Sequence, residues 1–251
     1  MLMNDYIIGN QVIKVKSVDS TNNYAAKLLN QTKVPFGSVI MAHYQTSGRG
    51  QRNSVWSSAN GNNLLISVIL DLSSIPPSKI FYLSKLIALA IKSSVENMIG
   101  NEVKLKWPND ILVNKKKVAG VLIENQWKDK KIASSIVGIG LNVNQIDFSG
   151  IKSATSLKMI TSKNYELDVV LKLLCDKLNT YFEKLINFDY KSIDNEYHKS
   201  LKNINTWCDF IQNNNSFNAM VKGVNEQGEL MLEFRNGIIK TYELKQITQL
   251  I

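Results

Sequence analysis

The sequence predicts an α+β fold, with a mixed β-sheet domain and packed helices over residues 1–203 and a small β-barrel over residues 204–251. Three features predict it. Alternating or apolar runs of strand length recur through the first two hundred residues. Long stretches of helical spacing stand among them at residues 78–98 and 167–185. Past Asn203 the pattern tightens into short alternating runs at 217–224, 229–234 and 238–244, joined by Gln227-Gly228 and Asn236-Gly237. Asn-Gly between alternating runs is a strong hairpin signal, and closely spaced strands suit a small barrel.

Taken in order, Val12-Ile13-Lys14-Val15-Lys16-Ser17-Val18 alternates and predicts a strand. Asp19-Ser20-Thr21-Asn22 supplies a helix N-cap signal ahead of Tyr24, Ala25, Leu28 and Leu29 at helical spacing. Residues 37–44 return as a buried strand and deliver Gln45 to the loop Gln45-Thr46-Ser47-Gly48-Arg49-Gly50-Gln51-Arg52-Asn53-Ser54-Val55-Trp56. The turn Ala59-Asn60-Gly61-Asn62 leads to a strand at 64–70. After Pro76-Pro77 the helix at 78–98 presents Ile80, Leu83, Ile87, Ala90 and Ile91 as an apolar face. A short strand at 103–106 precedes Trp107-Pro108-Asn109-Asp110, where Pro108 halts regular pairing. Residues 111–113 and 118–125 form a hairpin through the turn at 114–116, and one more strand at 132–141 carries Gly138, Gly140 and then Asn142. Residues 149–164 are polar with little periodicity and are expected as loop, before helices at 167–185 and 190–201.

Composition excludes several classes. The net charge of +9 is compatible with a nucleic-acid partner, but the lysines are spread along the chain. Lys115-Lys116-Lys117 is the one run of three basic residues, and no helix-turn-helix or RNA-binding signature accompanies it, so a basic nucleic-acid-binding module is the weaker alternative. Cys175 and Cys208 imply no disulfide framework and are expected as reduced thiols. His43 and His198 lie in no metal-ligand spacing, so no protein-bound metal site is expected. No apolar stretch approaches membrane-span length and the N-terminus lacks a signal-peptide pattern, which predicts a cytoplasmic protein with no membrane partner.

Only three of the 30 basic residues are arginine (Arg49, Arg52 and Arg235), and two of these flank Gly50. Arginine offers a planar fork of donors, and glycine lets the backbone approach a ligand. Four strand ends carry the same polar or glycine-rich signal: Ser20-Thr21-Asn22, the Gln45 to Trp56 loop, Trp107 to Asp110 with Lys117, and Gly138 to Asn142. Converging on one side of a sheet, they would form a polar-edged pocket. There is no Ser-His-Asp set and no pair of carboxylates, so the inventory suits gathering negative charge in nucleotidyl or acyl transfer better than hydrolysis.

Gly48-Arg49-Gly50, Lys106-Trp107-Pro108-Asn109-Asp110 and Lys117-Val118-Ala119-Gly120-Val121-Leu122-Ile123-Glu124 together resemble the biotin–protein ligases, over roughly residues 12–250. Asp19-Ser20-Thr21-Asn22 and Gly140-Leu141-Asn142 fall where that family places them. The resemblance implies a biotin/lipoate ligase-like sheet domain with an SH3-like barrel, and a two-step reaction. Biotin and MgATP give biotinyl-5′-adenylate and pyrophosphate, and the acyl group passes to a lysine of a biotin carboxyl carrier domain. By position it implies biotin contacts at Ser20, Thr21, Asn22, Gln45, Arg49, Gly50, Gln51, Lys117 and Gly120. ATP or adenylate contacts would fall at Gly48, Arg52, Trp56, Asn109 and Asn142. Lys117 and Arg49 would place positive charge between the two anions, and Asp110 is the candidate for orienting the acceptor amine and taking its proton. Trp107 is expected as core support.

Family members often read Gly-Arg-Gly-Arg-Arg-Gly, whereas here Gln51 and Asn53 replace an Arg and a Gly; a neutral Gln51 predicts a looser hold on the adenylate. No DNA-binding segment precedes Val12, so a repressor role is not expected. A monomer or homodimer is compatible with the sequence. Within the same fold a lipoate ligase or octanoyl transferase is the nearest alternative, and the Gly48-Arg49-Gly50 loop and the C-terminal barrel favour biotin.

Overall fold

The computed structural model describes residues 7–51, 54–128, 131–148, 150–244 and 246–250. Its larger sheet has seven strands. They are β1 (Val12–Val18), β2 (Val39–Gln45), β3 (Leu64–Asp71), β4 (Val103–Lys106), β5 (Asp110–Val113), β6 (Lys116–Lys128) and β7 (Lys131–Leu141). The order across the sheet is β1-β2-β3-β7-β6-β5-β4. Among these described strands β1 and β2 pair in parallel and the other neighbours are antiparallel. The helix α1 (Thr21–Gln31) makes that crossover possible, as a parallel connection requires.

The two faces of this sheet are covered differently. Ala25 of α1 packs with Ile40, Ile69 and Ile136 on one face. The other face joins the main core, built with α2 (Phe81–Ile99), α4 (Leu167–Ile186) and α5 (Tyr190–Ser200). The predicted helices are present with shifted ends. A 3₁₀ turn at Pro77–Lys79 precedes α2, and Gly100 ends it in the left-handed region (φ 68°) that glycine tolerates. One expectation fails: the segment 149–164 contains a short helix, α3 (Leu157–Thr161). The Ser156 side chain accepts the Met159 N–H as its N-cap, a local bond that a periodicity reading does not see.

The C-terminal part forms a five-stranded antiparallel sheet in the order β11-β10-β9-β8-β12. Its strands are β8 (Trp207–Gln212), β9 (Asn215–Val224), β10 (Leu230–Glu233), β11 (Ile239–Tyr242) and β12 (Thr248–Gln249). β8 and β12 were not predicted. The β8–β9 turn is Asn213-Asn214 with φ of 48° and 65°, so two asparagines do what Asn-Gly was expected to do elsewhere. At Asn236-Gly237 itself only Gly237 takes positive φ, 78°.

Buried polar bonds fasten this sheet to the helices. Lys85 lies inside α2 with its ammonium 2.5 Å from Asp194 Oδ1 and 3.2 Å from the Val224 carbonyl. Removed from water, that charge is tolerable only with such partners. Burial still pulls its pKa below the ordinary lysine value, against the pull of Asp194. Trp107 donates its indole N–H to the Gly228 carbonyl (2.9 Å) and packs on the core, and it also lines the cavity of the candidate site. No described helix is long and apolar enough to cross a membrane.

Candidate active site

The α1-side face of the large sheet carries a floor of glycines. Asp110, Gly120, Gly140 and Leu65 lie in one line across β5, β6, β7 and β3. Leu122, Gly138 and Ser67 form the next line. Side chains settle directly on this bare backbone. A Cβ at Gly140 would lie 2.4 Å from the Trp56 indole, one at Gly138 2.5 Å from Asn22 Oδ1, and one at Gly120 3.0 Å from both Lys117 and Trp56.

The start of α1 forms one wall. Ser20 takes the N-cap position with extended φ and ψ, but its side chain makes no capping bond. Thr21 donates both its backbone N–H (2.8 Å) and its hydroxyl (3.1 Å) to Gln45 Oε1. Ser67 Oγ lies 2.7 Å from Thr21 Oγ1 and 2.5 Å from Asn22 Oδ1. Asn22 in turn donates to Glu124 Oε2 (2.7 Å). Thr21, Asn22 and Ser67 are buried, as is Ser20, so the polar groups of the first three require these partners.

Two cation–carboxylate pairs face the space above the floor. Arg49 donates to Glu124 through both terminal guanidinium nitrogens, at 2.9 and 2.6 Å. Lys117 Nζ lies 2.5 Å from Asp110 Oδ1 and 5.4 Å from the centre of the Trp56 ring. Strand alternation alone would put Lys117, three residues before Gly120, on the opposite face. A bulge removes the conflict: Ile111 pairs with Ala119 but Leu112 with Lys117, leaving Val118 unmatched. Such an extra residue re-aims the neighbouring side chain. The segment after β7 braces the bulge, with Lys117 N–H bonded to the Ser153 carbonyl (2.7 Å) and Thr155 N–H to the Lys117 carbonyl (2.9 Å).

Except for Ser67 and Glu124, which do not line it, the side chains of these groups border one cavity of about 330 Å³. Ser20, Thr21, Asn22, Gln45, Arg49, Gly50, Gln51, Trp56, Asn109, Asp110, Lys117 and Gly120, all expected site residues, lie on its wall. Gly48 and Asn142 do not line it. Gly48 is buried behind the loop, where a Cβ would meet the Trp56 carbonyl at 2.3 Å. Asn142 is buried with its amide donating to the Thr155 carbonyl (3.0 Å), so it supports the segment that braces Lys117. Arg52 lies outside the described residues. Asn109 stands on the wall with its amide on the Val121 carbonyl (2.8 Å).

The sequence reading placed Gly138 and Gly140 at a pocket-forming strand end and quoted Lys106 and Glu124 within motifs, but it gave none of these four an individual role and did not single out Ser67 or Lys202. Two signals were present: Gly120, Leu122 and Glu124 share one strand face by alternation, and Ser67 is the one polar residue in the otherwise apolar run 64–70. The Trp56 indole nitrogen is buried without a hydrogen-bond partner. Among the described residues no group of three or more His, Cys, Asp and Glu side chains is placed to hold a metal ion.

Comparison with known proteins bears on this arrangement. The model of the Biotin/lipoate A/B protein ligase family matches residues 14–142. The chain is similar to the bifunctional ligase/repressor BirA of Bacillus subtilis, 33% identical over 242 residues that cover 94% of this chain and 73% of that protein. It is 35% identical over 126 residues to the biotin–[acetyl-CoA-carboxylase] ligase of Mycobacterium tuberculosis, covering 48% of this chain and 45% of that one. Among solved structures, the biotin protein ligase of Aquifex aeolicus in complex with biotin and ATP superposes with a TM-score of 0.80 at 27% identity, over 96% of this chain and 98% of that chain.

Proposed function

We propose a reaction for this chain from one premise: it belongs to the Biotin/lipoate A/B protein ligase family. Within that family it is a biotin–protein ligase that uses biotin and ATP. The observation that carries the assignment of residues is that Arg49, Lys117 and Asp110 share one cavity with Thr21, Asn22 and Gln45.

In the first step a carboxylate oxygen of biotin attacks the α-phosphorus of ATP, the bond to the β-phosphate oxygen breaks, and pyrophosphate leaves. Two anions must approach closely, so fixed positive charge between them lowers the barrier. Lys117 supplies it from β6 and Arg49 from the facing loop. Each already holds a carboxylate, and the substrate anions compete with Asp110 and Glu124 for them. The polar set of Ser20, Thr21, Asn22 and Gln45 holds the head of biotin. Gly50 and Gln51 border the activated acyl group, and Trp56 and Asn109 border the nucleotide.

In the second step an acceptor lysine of a biotin carboxyl carrier domain attacks the acyl carbon, the bond to AMP breaks, and an amide forms. That amine is protonated near neutral pH and must lose its proton first. As Lys117 turns to the phosphate, Asp110 becomes free to take it. Mg²⁺ would arrive bound to the ATP phosphates, and the described residues offer it no carboxylate cluster of their own. We place the activity in the cytoplasm and treat residues 204–251 as a separate small domain. Labelled biotin, ATP and a carrier domain, with lipoate as competitor, test the proposal: label on the carrier, undiminished by lipoate, is expected. Transfer of lipoate in place of biotin would contradict it.

A further inference from the structure

Beyond the two paired cations, the cavity holds two that have no carboxylate. Lys106, at the end of β4, and Lys202, just past α5, both line it. They are brought together by the backbone: Lys202 N–H bonds the Leu105 carbonyl at 2.7 Å, and Leu105 and Leu201 form a parallel bridge. The cross-strand neighbour of Lys106 is Asp110, whose carboxylate is held by Lys117. Among the described residues no acid lies within ion-pair distance of Lys106 or Lys202. Burial, with the nearby Lys106 and Lys115 charges, holds the Lys202 ammonium below its ordinary pKa. Like charges crowded on a concave wall with no counter-charge are unfavourable unless an anion binds there.

We infer that Lys106 and Lys202 form a polyphosphate subsite that receives the β- and γ-phosphates of ATP and holds the departing pyrophosphate. The inference rests on the proposed ligase reaction and extends it. Lys117 and Arg49 address the reacting carboxylate and α-phosphate, and this second pair lies beyond Asp110 on the side where the C-terminal sheet closes the cavity. Lys202 is outside the family-matched residues, so the segment between α5 and β8 contributes to the site from a separate part of the chain.

The two half-reactions separate this role from others, because pyrophosphate takes part only in the first. Lys106→Met and Lys202→Met should each raise the KM for inorganic pyrophosphate in the reverse reaction, and for ATP in the forward one, by about tenfold. Biotin affinity by calorimetry and transfer from purified biotinyl-5′-adenylate to a carrier domain should stay unchanged, which also shows that the variants are folded. Lys→Arg at either position should restore most of the loss. An unchanged KM for pyrophosphate would overturn the subsite. So would slowed transfer from the purified adenylate, which would assign these lysines to the carrier. Wild-type protein that makes no adenylate at all would instead sink the ligase reading itself.

Discussion

Lys117 Nζ and Asp110 Oδ1 lie 2.5 Å apart across neighbouring strands, on the face of the sheet that carries Gly120 and Gly140. The pair gives each residue a partner it must give up for the proposed reaction to proceed. In the proposed reaction Lys117 would leave for the phosphate in the first step, and Asp110 would then be a free base for the second.

Asp110→Asn tests that division. The variant should slow transfer from preformed biotinyl-5′-adenylate by about 10²- to 10⁴-fold, the usual range for losing a general base. Adenylate formation should change far less. The deficit should shrink as pH rises, because the free-amine fraction of the acceptor lysine grows toward its pKa. Equal loss in both half-reactions at every pH would assign Asp110 to holding Lys117 only.

Asn142 offers a test of support against contact. Its amide bonds the Thr155 carbonyl, and Thr155 N–H bonds the Lys117 carbonyl. Asn142→Ala should cost about 1–3 kcal/mol in denaturant unfolding, because it leaves a buried acceptor unpaired. In adenylation it should lower kcat with little change in the KM for ATP. A raised KM with unchanged stability would mean that Asn142 touches the nucleotide directly.

Much of the site was legible in the chain, because glycine, arginine and amide clusters at strand ends are local patterns. Ser20, Gln45, Arg49 and Asp110 could all be placed that way. The orientation of Lys117 could not, since simple alternation points it away from Gly120 and only the unmatched Val118 restores it. Glu124 and Lys202 were missed for a related reason: their roles depend on partners 75 positions away at Arg49 and on the bridge to Leu105. In the fold, β8 went unread because Asn213-Asn214 was not recognised as a positive-φ turn. The short α3 lies in a polar stretch where a single cap at Ser156 outweighs weak periodicity.

Gln51 lines the cavity at a position where the resemblance drawn from the sequence implies arginine. A neutral amide forms weaker bonds to a phosphate than a guanidinium does. Gln51→Arg should therefore lower the rate at which biotinyl-5′-adenylate escapes into solution, measured without a carrier domain. Equal escape from both proteins would dismiss the idea.

Burial raises the Cys175 thiol to a pKa of about 11. At pH 8 about one such thiol in a thousand is ionised, and only the thiolate reacts readily. Iodoacetamide should modify the partly exposed Cys208 first and leave Cys175 intact until the protein unfolds. Fast native-state labelling of Cys175, located by peptide mass, would show that α4 opens.

The central claim, that Lys117 bridges the biotin carboxylate and the α-phosphate, is tested most directly by biotin-dependent exchange of labelled pyrophosphate into ATP. Wild-type protein should exchange label only when biotin is present, and Lys117→Ala should show no exchange while keeping its fold. Near-normal exchange in that variant, or exchange by wild-type protein without biotin, would contradict the account.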